Sequence, residues 1–189
     1  MRIGIFGGSF NPIHQGHLKL ARYAMNELNL NKVFFVPSCQ TPLKSAKELL
    51  PIHVRVSLLK EAIRKEPAFA LSLCEIQRKG LSFTVDTLEY FRKKFPKNTV
   101  LYFLCGGDAP KNFKKWKEAN RLTKLARFVV MTRPGYSVRS LPKGMMYLPM
   151  EPVPVSSTLI RGRMERKQSL KGLVPKRLEA RMLSIRIKK

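Results

Sequence analysis

Arg2-Ile3-Gly4-Ile5-Phe6-Gly7-Gly8-Ser9-Phe10-Asn11-Pro12-Ile13-His14-Gln15-Gly16-His17 opens with a short apolar run, breaks in a turn cluster from Gly7 to Pro12, and then changes period. From Gly16 onward Leu18, Ala21, Ala24, Met25 and Leu28 recur every three or four positions, as one face of an amphipathic helix does. The segment therefore reads as strand (Arg2 to Phe6), loop, helix. Val33-Phe34-Phe35-Val36, stopped by Pro37, has the unbroken apolar character of a strand buried on both faces of a parallel sheet. One βαβ unit thus closes by about Pro37.

The alternation continues along the chain. A polar loop, Ser38 to Leu50, leads to a helix carrying Val54, Leu58, Leu59 and Ile63. Phe69 to Ile76 reads as a weaker strand, and Ser82 to Leu88 as a helix start with a hydroxyl N-cap. Thr99 to Cys105 is the next buried strand. A helix carrying Phe113, Trp116 and Leu122 and strands at Phe128–Met131 and Met145–Leu148 follow, with a helical C-terminal part from about 156. The expected fold class is α/β: a Rossmann-like, doubly wound, mostly parallel sheet with helices on both faces, in a single domain over 1–189. Ligands of such sheets bind beyond the carboxyl ends of the strands, which directs attention to Gly7–His17, Ser38–Leu50 and Gly106–Pro110.

Composition narrows the class. The chain has 189 residues, 44% hydrophobic and 26% charged, enough apolar material for a core and too much for wholesale disorder. Cys39, Cys74 and Cys105 are an odd number without a Cys-x-x-Cys pair, which argues against a disulfide framework or zinc knuckle and for free thiols in a reducing cytoplasm. No run approaches the roughly 18 apolar residues of a membrane span. The balance of 37 Lys+Arg against 12 Asp+Glu, formally +25, favours anionic partners: nucleic acid, acidic lipid or phosphorylated small molecules. The bases are spread along the chain, densest from Ser157 to Lys189, with no DNA-reading motif, so nucleic acid is expected only as nonspecific binding.

The first loop has the makings of a phosphate site. Glycines after a strand let a phosphate approach the backbone, and the following helix start offers free N–H groups and a positive dipole end. His14 and His17 add titratable donors at the same place. The Gly7-Gly8 pair alone would also suit a plain corner, but its strand and helix context favours the phosphate reading. A metal reading of His-x-x-His is weak, because no carboxylate stands in the segment.

Gly8-Ser9-Phe10-Asn11-Pro12-Ile13-His14-Gln15-Gly16-His17 resembles the Gly-x-Phe-x-Pro-x-His-x-Gly-His signature of the adenylyl- and cytidylyltransferase superfamily, and Val155-Ser156-Ser157-Thr158-Leu159-Ile160-Arg161 resembles its second signature, Ile-Ser-Ser-Thr-x-Ile-Arg. Phe35-Val36-Pro37 with Pro42 and Lys44, Ser82-Phe83-Thr84 to Leu88, Gly106-Gly107-Asp108, Trp116 and Thr132-Arg133-Pro134-Gly135-Tyr136 extend the resemblance to bacterial nicotinate-nucleotide adenylyltransferases, nearly to the C-terminus. The resemblance implies transfer of AMP from ATP, accompanied by Mg2+, to nicotinate mononucleotide, giving deamido-NAD and pyrophosphate without a covalent enzyme intermediate. The same chemistry on nicotinamide mononucleotide or phosphopantetheine is the alternative.

By that resemblance His14, His17 and Arg161 are the catalytic candidates, with His17 at the α-phosphate. Gly7, Gly8, Phe10, Gly106, Asp108, Ser156, Ser157 and Thr158 join them around ATP. Ser9, Phe10, Lys44, Thr84, Trp116 and Arg133 surround the acceptor, Trp116 stacking on the nicotinate. Leu43 stands where the family often has histidine. On the residues alone, Asp108 and Ser156 read equally as helix caps, Trp116 as core, and Arg133 as a solvated cation.

Overall fold

The computed structural model describes residues 1–40, 49–107, 109–131, 141–151 and 153–186, without the side chain of Lys111. Elements follow in the order β1 (Arg2–Gly8), α1 (Gln15–Glu27), β2 (Lys32–Pro37), α2 (Ile52–Ile63), β3 (Phe69–Leu71), α3 (Cys74–Arg78), α4 (Thr84–Lys94), β4 (Val100–Gly106) and α5 (Ala109–Asn112). Next come a 3-10 turn (Phe113–Lys115), α6 (Ala119–Leu125), β5 (Arg127–Met131), β6 (Met145–Leu148), α7 (Ser157–Glu165), a second 3-10 turn (Lys176–Leu178) and α8 (Glu179–Ser184). The six strands form one sheet in the order β3-β2-β1-β4-β5-β6, and every pairing is parallel.

The apolar runs are continuous because the sheet is covered on both sides. Successive residues alternate between two cores: Val33, Phe35, Tyr102, Leu104 and Val129 pack with α1, α2, α7 and α8, whereas Phe34, Val36, Leu101, Phe103 and Phe128 pack with α4 and α6. The strand order reverses at β1 and β4, so a crevice opens beyond their carboxyl ends.

Four details differ from the sequence reading. β1 runs on through Gly7 and Gly8, which pair with Val36 and Pro37, so the turn begins only at Ser9. β3 stops at Leu71; the Ser72 N–H makes the last bond, to Phe35 O at 2.9 Å, and Cys74 to Arg78 coil into α3 instead of extending the strand. That coil turns Glu75 inward, where its carboxylate accepts from the Thr87 hydroxyl at 2.6 Å. The N-cap of α4 is Phe83, without a side-chain cap, because the Ser82 hydroxyl instead accepts the Cys39 N–H at 3.0 Å. Finally, Phe113, Trp116 and Leu122 do not share one helix: Phe113 lies on the first 3-10 turn, Trp116 ends that turn in extended backbone, and Leu122 lies on α6, which starts after Glu118 takes a left-handed φ of 54°.

Candidate active site

A cleft of about 750 Å³ lies at the reversal of strand order, over the carboxyl ends of β1 and β4. Its floor is the end of β1: Gly7, Gly8 and Ser9, with Gly106 at the end of β4. The loop then enters α1, whose N-cap is His14 in extended backbone. The His14 and His17 rings stack with centroids 3.7 Å apart. The His14 N–H donates to His17 Nδ1 at 3.3 Å. A neutral imidazole that accepts at Nδ1 carries its proton on Nε2, across the ring from that bond. Both rings line the cleft.

Phe10 supports this arrangement from beneath. Its backbone is left-handed, φ 43°, and its buried ring packs edge-on against His17 at 5.1 Å and against Phe6 at 5.6 Å. A non-glycine residue holds such a φ only when packing fixes it, which the rings of Phe6, His17 and Phe35 do here. Phe10 borders the cleft mainly as the wall behind Gly8 and His17.

The second signature closes over the first. Ser156 is the N-cap of α7 and accepts the Leu159 N–H at 3.1 Å, so the capping role read from the residues is realised. The Ser157 hydroxyl donates to Pro12 O at 3.0 Å, and Arg161 Nη1 donates to Asn11 O at 2.9 Å. Arg161 Nη2 also lies 3.5 Å from the Thr158 hydroxyl. Thus Ser156, Ser157, Thr158 and Arg161, nearly 150 positions downstream, line the same cleft as His14 and His17. Two helix N-termini, two imidazoles and a guanidinium converge there, a donor set suited to a polyanion.

The other end of the cleft is aromatic. Trp116 is half-buried, and its ring stands edge-on to Phe103 at 6.1 Å and against Phe113 at 5.8 Å. It borders the cleft with Thr84, so core packing holds the ring while leaving part of it to a ligand. Lys44, Asp108 and Arg133 lie outside the described residues, as does Leu43.

Several residues at the site carried no sequence signal. Glu75 lines the cleft, and Met150 and Val153 form part of its wall before α7. Burial raises the Glu75 carboxyl above its ordinary range; Thr87, Ser82 and Arg78 oppose that rise, and Asp86 adds to it. Arg55 anchors the loops from below, and only its place on a helix could be read beforehand.

Residues 5–163 match the family described as cytidylyltransferase-like. The chain is 36% identical over 184 residues to a probable nicotinate-nucleotide adenylyltransferase of Clostridium tetani, covering 92% of each protein. It is 40% identical over 179 residues to one of Thermus thermophilus, covering 95% of each. Among solved structures, Plasmodium falciparum nicotinic acid mononucleotide adenylyltransferase complexed with APC superposes with a TM-score of 0.76 at 18% identity, over 96% of this chain and 92% of that one. The same protein complexed with NaAD gives 0.74. A crevice at the strand reversal, two distant signatures meeting on it, and this likeness over nearly the whole length place the chain in the cytidylyltransferase-like family, among its nicotinate-nucleotide adenylyltransferases.

Proposed function

We propose that the protein transfers the adenylyl group of ATP to nicotinate mononucleotide, forming deamido-NAD and pyrophosphate for NAD synthesis. The observation that carries this reading is the meeting of the His14–His17 pair with Ser157, Thr158 and Arg161 on one cleft that also reaches Trp116. An oxygen of the acceptor's 5′-phosphate attacks the α-phosphorus of ATP. The bond from that phosphorus to the bridging oxygen breaks, and pyrophosphate leaves with the electron pair. The attacking oxygen is already anionic, so the step needs no general base and no enzyme nucleophile. What it needs is alignment and donors for the charge on the phosphate oxygens.

His17, through Nε2–H, and Arg161, through N–H groups not given to Asn11, supply such donors at the α-phosphate, and His14 supplies one beside it. Gly7, Gly8 and Gly106 leave room for the nucleotide, and the α7 N-terminus with Ser157 and Thr158 holds the leaving phosphates. Ser9 and Thr84 bound the mononucleotide, and Trp116 stacks on its pyridine ring. Lys44, Asp108 and Arg133 complete the two substrate sites in this reading. Among the described residues no group of three or more His, Cys, Asp or Glu side chains could hold a metal ion. The imidazoles, hydroxyls and guanidinium fit an anion, so a divalent ion, which we take to be Mg2+, would ride on the triphosphate oxygens and water, where it neutralises charge.

No helix among the described residues is long and apolar enough to cross a membrane. Cys74 and Cys105 are buried and Cys39 half-buried, the Cys105 thiol donating to Val129 O at 3.4 Å, so their thiols serve packing, and we keep the reading of a reducing, cytoplasmic setting.

The test is pyrophosphate release from ATP and Mg2+ with nicotinate mononucleotide, nicotinamide mononucleotide or phosphopantetheine offered in parallel. Nicotinate mononucleotide should give the highest kcat/KM, and His17→Ala should lose at least about 10²-fold in kcat while melting like the parent protein. Higher kcat/KM with either other acceptor would replace the substrate, and full turnover by His17→Ala would remove the mechanism.

A further inference from the structure

Arg55 is only 1% exposed, yet it lies in none of the substrate-facing positions considered so far. Its guanidinium reaches the carbonyls of three chain segments at once. Nε donates to Leu50 O at 3.1 Å, Nη1 to Ser9 O at 2.7 Å, and Nη2 to Ser38 O at 2.9 Å and, at the edge of bonding distance, to Cys39 O at 3.5 Å. Ser9 follows β1, and Ser38 follows β2; both border the cleft. Ser38 and Leu50 bracket the second loop.

The connection does not stop at Leu50. The same residue's N–H donates to Asn11 Oδ1 at 2.8 Å, and the carbonyl of Asn11 accepts from Arg161. A continuous chain of bonds therefore runs from Arg55 through Leu50 and Asn11 to Arg161 at the phosphate end. A buried guanidinium is a poor device for stability, since apolar replacements of buried ionic groups are often neutral or better. Its planar fork, however, sends donors in several fixed directions, which a lysine's single ammonium does not.

We infer that Arg55 is a positioning residue for the acceptor half of the site: it fixes the spacing of the Ser9 and Ser38 loops and sets them against Arg161, so that the acceptor phosphate meets the α-phosphorus in line. This rests on the adenylyl-transfer reading above. Misplacement of reacting groups by about 1 Å is worth about 10²-fold in rate, so a small shift of these loops is enough to matter.

Arg55→Lys keeps the charge and most of the volume but loses the fork. Steady-state kinetics should show acceptor KM raised by about tenfold or more and kcat lowered, with the KM for ATP within about twofold of the parent. Arg55→Ala should lose more, and ethylguanidinium, but not ethylammonium at equal concentration, should restore part of its turnover. Equal changes in both KM values, or no change in either, would overturn the proposal. So would the failure of both variants to fold by circular dichroism, because Arg55 would then be a determinant of the fold. The parent protein is assayed first, and whichever acceptor it prefers is used for the variants. An error in the acceptor's identity and an error about Arg55 thus give different results.

Discussion

Gly16 shows how tightly single residues are constrained at the phosphate end. A Cβ there would stand 3.0 Å from His14 Nδ1, 3.0 Å from Val155 Cγ1 and 3.1 Å from His14 Cε1. Since the His14 ring lies against that of His17, a methyl group at position 16 pushes on both imidazoles and on the segment entering α7. Gly16→Ala should therefore lower kcat by about 10²-fold. Its stability should change far less, because alanine in a helix gains about 1 kcal/mol over glycine and offsets part of the crowding. Kinetics and a thermal melt on the same preparation check this; normal turnover would mean that the neighbours move aside freely. The motif glycine was visible in the sequence, but its reason was not: it makes room for a ring two residues earlier and a valine 139 positions later.

At the level of elements, α3 and α4 meet through Glu75, whose carboxylate accepts from Thr87 while Arg78 lies 3.4 Å from the same hydroxyl and 3.9 Å from Asp86. Burial keeps the Glu75 carboxyl raised, so the folded state holds its proton at pH values where the unfolded chain, near the ordinary value of 4.5, has lost it. The folded protein then binds more protons than the unfolded one, and stability falls as pH rises from about 4.5 through the raised pKa. Denaturant titrations across that window should show the decline, and Glu75→Gln should flatten it; an unchanged slope in the variant would locate the dependence elsewhere. Strands were legible because burial on both faces leaves continuous apolar runs, as in Val33–Val36 and Leu101–Cys105. The Phe69–Ile76 segment misled because its second half coils into α3, where Glu75 finds its partner, Thr87, on another helix. Likewise the Ser82 hydroxyl looked like a cap and is used by Cys39, and nothing local announces that Glu118 turns left-handed. The lining of the cleft was legible where it sits on contiguous motifs. Arg55 was not, because the reach of one arm to three loops leaves no spacing pattern.

Across the whole molecule, 37 basic residues face 12 acidic ones, and both substrates are anions. A charge of +25 attracts anions at long range, and salt screens such attraction over about 8–10 Å. kcat/KM for the acceptor should fall severalfold between about 20 and 200 mM salt, with kcat nearly constant. A flat profile would leave the basic surface without a part in substrate capture.

The C-terminal third is also sewn to the first loop: Ser157 to Pro12, Arg161 to Asn11, and the Gln15 N–H to Leu173 O at 2.9 Å. Arg177 likewise donates to Glu61 O and Ala62 O on α2. During synthesis, at roughly 5–20 residues per second, the histidine loop leaves the ribosome many seconds before the partners that fix it. A nascent chain thus carries only one half of the cleft's donor set until the segment from Ser157 onward has emerged. The donor set around the cleft is complete only when the segment from Ser157 to Arg177 folds back over residues made well over a hundred positions earlier.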